Sequence, residues 1–189
     1  PYLLTLELSG FLSWLFTVAW FLLFINAINR FDGIYGLATG MSSIGFFTIF
    51  LLLSLVVFPH YEFMSYARSE LLIRVQNISL ILFVIWVLGT ILEYKPRWLM
   101  RDVGTMFFWF ALWYLALLWW AKIGTLIVVL ALPLFDALRV FVDRLKRWKS
   151  PVQWDYSHLH YRLLALGRNR HEVRACIWGI SLVVMIIML

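Results

Sequence analysis

The sequence predicts an all-α, polytopic helical membrane protein, folded as a single membrane domain over residues 1–189. Three observations carry that prediction. The chain is 63% hydrophobic, with a mean hydropathy of +0.88 and 11 Trp, more apolar surface than a soluble domain of this length can bury. Several uninterrupted apolar runs reach the ~20 residues that cross a hydrocarbon core. Those runs also lack the apolar–polar alternation of an outer-membrane barrel strand. The single cysteine, Cys176, excludes an internal disulfide. The chain begins at Pro1 and ends within an apolar run, so it is expected to be a piece of a longer protein, and no cleavable signal pattern is visible.

The runs place spans near 10–29, 37–58, 71–92, 105–121, 123–142 and 173–189, about six in all. The fourth and fifth are parted by Ala121-Lys122 alone, which makes a tight hairpin. Short amphipathic cytoplasmic helices are expected near 143–171, the one long polar stretch. Lys and Arg set the orientation. All of them except Arg68, Arg74 and Lys122 fall in connections that share one side. By the positive-inside rule that side is cytoplasmic, so the chain reads as a multi-pass protein of the cytoplasmic (inner) membrane. The net charge of +6 is then mostly a topology signal, with attraction to anionic membrane lipids. Nucleic acid is not expected as a partner.

Between the first two runs, Asn26, Asn29 and Asp32 recur at three-residue spacing, on neighbouring parts of one helical face. A carboxylate there takes a hard cation and amides orient it. The same residues also serve as helix caps, with Gly33, Gly36 and Gly40 as breakers. Gly36 and Gly40 form a small-xxx-small pair suited to close helix packing. Pro96 ends the third helix. Asp102 follows as a first-turn carboxylate or a ligand, and Gly104 and Thr105 leave room for a phosphate or another helix.

Asp136, after Pro133, shares a helical face with Arg139, Asp143 and Arg144, the spacing of ordinary ion pairs. A carboxylate so close to an apolar segment is nonetheless partly desolvated. Arg144, Lys146, Arg147 and Lys149 suit phosphate or the headgroup surface. His158 and His160 point the same way in an extended segment and nearly opposite ways in a helix. Zinc needs about two further ligands, so phosphate contact by His and Arg is the better functional reading, beside two surface histidines without a role. Trp109, Trp113, Tyr114, Trp119 and Trp120 read as lipid-facing and interface-belt aromatics. Counting spans puts Asp32, Asp102, Asp136 and the histidine pair at one cytoplasmic face, as a site there requires; the greater length of loops on that side would group them as well. A carrier would instead hold charges at mid-membrane on broken helices.

Taken together, these clusters resemble the polyprenyl-phosphate N-acetylhexosamine-1-phosphate transferase family, which includes the bacterial UDP-GlcNAc:undecaprenyl-phosphate transferases and the related phospho-MurNAc-pentapeptide translocase. Asn26-Ala27-Ile28-Asn29 through Asp32-Gly33 and Gly36-Leu37-Ala38 is similar to its NAxNFxDGxDGLAxG segment. Arg101-Asp102-Val103-Gly104-Thr105 is similar to GDxGS, and Pro133, Asp136, Val140 and Arg144 to the PxxDxxxVxxxR helix. Ser150-Pro151, Asp155, His158-Leu159-His160, Arg162 and Gly167 are similar to SPFxxDxxHLHHxLxxxG. Four motifs in order cover most of the chain, and Asp136 with the HLH form favours the GlcNAc branch. The departures are Tyr35 for a second Asp, Arg101 for Gly, Thr105 for Ser, Tyr156 for Arg and Tyr161 for the last His.

The resemblance implies transfer of GlcNAc-1-phosphate from a UDP-N-acetylhexosamine to undecaprenyl or another polyprenyl phosphate. UMP leaves, as the first step of lipid-linked cell-envelope polysaccharide synthesis. It implies Mg²⁺, or Mn²⁺ in its place, held by Asp32. Asp102 and Asp136 would contact the nucleotide sugar or its metal. Asn26 and Asn29 would shape the metal site, and Arg144, His158, His160 and Arg162 would bind phosphate or sugar. A homodimer fits the family. The family's upstream paired-Asp loop is not in these residues, so this portion alone is expected to be inactive. The alternative is a catalytically degenerate relative that serves as a membrane scaffold or binding subunit.

Overall fold

The computed structural model describes residues 10–29, 31–59, 66–93, 101–118, 123–148, 150 and 156–189, with residues 20, 23–28, 66–67, 101–103, 108 and 123 described by backbone alone. Among them every regular element is helical. Helix α1 spans Gly10–Asn29, and α2 spans Leu37–Leu51 and runs on through a π-helical stretch, Leu52–Val57. Then follow α3 (Tyr66–Glu93), α4 (Arg101–Leu118), α5 (Ile123–Val129), α6 (Ala131–Lys146), α7 (Leu159–Ala165) and α8 (Arg170–Met188). Three stretches are long and apolar enough to cross a membrane: Leu37–Val57, Arg68–Glu93 and Arg170–Met188. Gly10–Ala19 and Gly104–Leu118 are shorter apolar helical stretches.

Helix α2 is the axis of the bundle, packed against α3, α4, α5 and α8 and buried along most of its length. Three of its hydroxyls are satisfied within the helix, as an apolar setting demands. Ser42, Ser43 and Thr48 donate to the carbonyls of Ala38, Thr39 and Ile44 at 2.8, 3.0 and 2.7 Å. Helix α3 turns Leu72, Val75, Ser79, Trp86 and Glu93 inward, a stripe at spacings of three, four and seven residues. Its other faces expose Ile81, Leu88 and Ile91, as lipid contact requires. At Gly40 an added Cβ would run into the Trp178 ring of α8, which is the close helix packing expected from the glycine pair.

Two sequence expectations change. Trp109 and Trp113 do not face lipid: with Thr105, Leu112 and Ala116 they form the buried stripe of α4, while Tyr114 is exposed. Trp119 and Trp120 lie outside the described residues. The fifth expected span, 123–142, is two helices that meet at Leu130. Pro133 has no N–H to give the carbonyl of Val129, so the helix restarts with the proline in its first turn, where it is tolerated. The amphipathic helix is accordingly α6. It buries Pro133, Asp136, Val140 and Arg144 and exposes Phe135, Leu138, Val142 and Leu145, the pattern of a helix lying against lipid.

The short polar stretch is held by local signals. Gly167, at φ 84°, ends α7 in the left-handed conformation that glycine adopts without strain. Asn169 and Glu172 then open α8 with reciprocal bonds: Glu172 N donates to Asn169 Oδ1 at 2.9 Å and Asn169 N to Glu172 Oε2 at 3.3 Å.

Candidate functional site

Asp32 follows α1 by one turn, its N–H donating to the Asn29 carbonyl at 3.3 Å. Its carboxylate accepts from Thr105 Oγ1 of α4 at 2.9 Å. That bond joins two stretches singled out separately in the sequence. The next residue, Gly33, lies against the His160 and Tyr161 rings of α7, and an added Cβ would collide with both. The aspartate loop and the histidine segment are therefore in direct contact, across more than a hundred residues of chain.

His158 caps α7 with extended backbone (φ −65°, ψ 152°), and His160 lies in the first helical turn. This mixed conformation keeps the two rings nearly parallel, with centroids 6.0 Å apart and 13° between planes. His160 is 0% exposed and meets Phe31 edge-on at 5.3 Å. Burial, then the charge of His158, lowers its pKa to about 4, against a smaller opposing pull from Asp136. His160 is thus neutral near pH 7 and acts through hydrogen bonds, not charge. Among the described residues neither of its ring nitrogens has a partner, nor does the buried Asn29 Oδ1. Burial first, then Tyr156 and the charge of Asp32, push the Tyr161 hydroxyl up, so it keeps its proton and remains a donor.

Asp136 organises the segment before α7. His158 Nδ1 lies 2.9 Å from Oδ2, Leu159 N donates to Oδ1 at 3.0 Å, and Arg139 Nη2 donates to Oδ1 at 2.9 Å. A carboxylate accepts, so Nδ1 carries the proton of His158, and Nε2, without a protein partner among the described residues, is the atom left for a ligand. Arg139 Nη2 also donates to the Ser157 carbonyl at 2.6 Å. Beside this pair lies a cavity of about 390 Å³ lined by Arg139, Arg144, Arg147 and Arg162, with Asp143 the one carboxylate among the described lining residues. Four guanidinium groups around one opening suit the bidentate binding of phosphate oxygens.

The structure thus sets the Asp32–Gly33 loop against His160, and joins Asp136 to His158 beside Arg144 and Arg162. Asn29 lies one turn from Asp32. Asn26 and Asp102 are on α1 and α4, but their side chains lie outside the described residues. Among the described residues no group of three or more His, Cys, Asp or Glu side chains could hold a metal. Mg²⁺ takes one or two carboxylates and otherwise water and substrate phosphates. Asp32, with the unpartnered Asn29 oxygen a turn away, fits that demand.

One feature was not foreseen. Glu93, the last residue of α3 and 4% exposed, accepts at Oε2 from Gly36 N at 3.1 Å and Thr39 Oγ1 at 3.0 Å. From α8, Arg174 Nη1 donates to the Tyr35 carbonyl at 2.7 Å, and Trp178 Nε1 to that of Leu37 at 3.3 Å. The one sequence signal was a lone carboxylate closing an apolar span, which is costly unless paired.

Bundle and site together define a helical membrane protein that gathers carboxylate, imidazole and guanidinium groups at one end, suited to anionic ligands. Over 166 residues the chain is 31% identical to a probable undecaprenyl-phosphate N-acetylglucosaminyl 1-phosphate transferase of Bacillus subtilis (strain 168), a match covering 84% of this chain and 42% of that protein. The chain is thus similar to a C-terminal portion of a polyprenyl-phosphate N-acetylglucosaminyl 1-phosphate transferase. It spans less than half the length of that curated relative. No family model and no solved structure matches the chain.

Proposed function

We propose that the protein containing this chain transfers GlcNAc-1-phosphate from a UDP-sugar to undecaprenyl or another polyprenyl phosphate at the cytoplasmic face of the inner membrane. A lipid phosphate oxygen bonds to the phosphorus that carries the sugar. The bond from that phosphorus to the bridging oxygen breaks, and UMP departs with the electron pair. The observation that carries this reading is the contact of the Asp32–Gly33 loop with His160 and Tyr161, beside the arginine-lined cavity. Both reactants are anions, so the first requirement is to hold two phosphate groups together.

In this reading Arg144 and Arg162 bind phosphate oxygens from the cavity. Asp136 holds His158 in one tautomer, so that Nε2 meets phosphate or sugar, and His160 contributes as a neutral hydrogen-bonding group. Asp32 holds Mg²⁺ or Mn²⁺, with Asn26 and Asn29 shaping its surroundings, and Asp102 contacts the nucleotide sugar or its metal. When bound, the ion neutralises charge on the diphosphate. An arrangement with these groups facing the cytosol accords with a lipid phosphate at headgroup depth and a soluble nucleotide sugar.

The test is Asp32→Asn in the full-length protein, expressed to the wild-type level. Mg²⁺-dependent UMP release is expected to fall roughly 100-fold or more, because several kcal/mol of charge stabilisation is lost. Near-normal turnover would remove Asp32 from the role. Absence of UMP release from the full-length wild-type protein would leave the scaffold reading instead.

A further inference from the structure

We infer that Glu93 and Arg174 are positioning residues that fix the Asp32 loop from outside the chemistry; the inference rests on the function proposed above. Four residues separate Asp32 from the start of α2, and both ends of that segment are gripped. Gly36 caps α2 at φ 79° and offers no capping side chain. Glu93 supplies the missing acceptor from α3, a single oxygen, Oε2, taking both the Gly36 N–H at 3.1 Å and the Thr39 hydroxyl at 3.0 Å. A carboxylate at a helix N-terminus also meets the positive end of the helix dipole.

Arg174 approaches the same turn from α8. Its Nη1 donates to the Tyr35 carbonyl at 2.7 Å, and Nη2 is held by His171 Nδ1 at 2.7 Å. Glycine suits this turn, since its φ is positive and a Cβ at Gly36 would stand 3.2 Å from Arg174 Nη1, which would have to give way. Both side chains are buried, at 4% exposure each, so Glu93 Oε2 and Arg174 Nη1 bond to this turn without competition from solvent. With Tyr35 and Gly36 fixed, the chain reaches Asp32 with little freedom to move it relative to Thr105 and His160. Positioning of this kind matters because small displacements of a reacting geometry are costly in rate.

Which atom does the holding decides the experiment. Both bonds end on one oxygen, so Glu93→Gln can present its amide oxygen in the same place, whereas Glu93→Ala cannot. In the full-length protein, Glu93→Ala is expected to lower kcat roughly 10- to 100-fold and to raise the half-saturating Mg²⁺ concentration, and Glu93→Gln to restore most of both. Thr39→Val, which removes one of the two bonds, should fall between. Hydrogen exchange at the 33–39 backbone should quicken in Glu93→Ala and return toward wild type in Glu93→Gln, a readout that needs no activity. If Asp32→Asn abolishes turnover while Glu93→Ala keeps wild-type kcat, Mg²⁺ dependence and exchange, the positioning role is wrong and the site reading survives. If Asp32→Asn is active, the site reading fails on its own. A Glu93→Ala protein that does not fold leaves Thr39→Val and Glu93→Gln to decide: unchanged exchange in Thr39→Val, or a Glu93→Gln variant whose kcat falls roughly 10-fold or more, would overturn the inference.

Discussion

Removing the Asp136 carboxylate probes the histidine segment most directly. Asp136 is 5% exposed and accepts from His158 Nδ1, Leu159 N and Arg139 Nη2. In Asp136→Ala the first two donors lose their acceptor inside the protein, and each charge-assisted bond contributes about 1.5–3 kcal/mol. Arg139 is 36% exposed, so its share is at most about 1 kcal/mol after screening. The expected destabilisation is about 3–5 kcal/mol, the range for removing one partner of a buried pair. His158→Ala loses the same contact from the other side, so the double variant does not lose it twice. A coupling energy of at least about 1 kcal/mol is expected from the cycle. The assay is unfolding of the full-length wild type, both single variants and the double variant in detergent micelles under one set of conditions. Additivity within about 0.5 kcal/mol would refute the reasoning, because the carboxylate and the imidazole would then stabilise the fold independently.

The remaining predictions concern pH and two glycines. His160 titrates at about 4 in the fold against 6.5 unfolded, so between those values the unfolded chain binds the extra proton. Its contribution is complete above pH 6.5 and is lost as pH falls toward 4, at up to about 1.4 kcal/mol per pH unit. Melting temperatures of the full-length protein and of His160→Asn, compared from neutral pH down, should show the steeper acid loss in wild type; parallel curves would contradict it. Gly36→Ala should cost roughly 1–2 kcal/mol for the left-handed backbone and should also slow UMP release, since it disturbs the turn next to Asp32. Gly167→Ala shares the positive φ, 84°, but a Cβ there meets nothing within 4 Å, so it should lower stability alone. Equal effects of the two on turnover would count against the loop's importance.

Hydropathy made the helical class and the ends of α1, α2 and α8 legible, because each apolar run stops where a polar cluster begins. The grouping of Asp32 with the histidines was also legible, through motif order; the span count behind the parity argument is not kept, since 123–142 is two helices. What was not legible depended on partners distant in sequence. Nothing local told Trp109 and Trp113 from belt aromatics: in an apolar helix a tryptophan looks the same whether it meets lipid or α2. The break at Leu130 was hidden because the residues on both sides of Pro133 are apolar and read as one run. Glu93 passed as a span terminus because its acceptor role is defined by Gly36 and Thr39, 57 and 54 residues earlier.

The departures from the family pattern bear differently on the enzyme and scaffold readings once their surroundings are known. At Tyr35 it is the backbone carbonyl that α8 grips, so replacing the family's aspartate leaves that anchor in place and removes a charge only. At Tyr161 an imidazole is exchanged for a hydroxyl held in its protonated form by burial and by Asp32, so a donor remains beside the loop. Thr105 keeps the hydroxyl of the serine it replaces and uses it on Asp32. A scaffold would need the helices packed, which the apolar stripes alone accomplish. It would have no need of a buried histidine whose nitrogens meet no partner among the described residues, set against the aspartate loop, an arrangement that costs free energy unless something completes it. That cost, borne at the one place where the motifs meet, favours retained binding chemistry over a packing role.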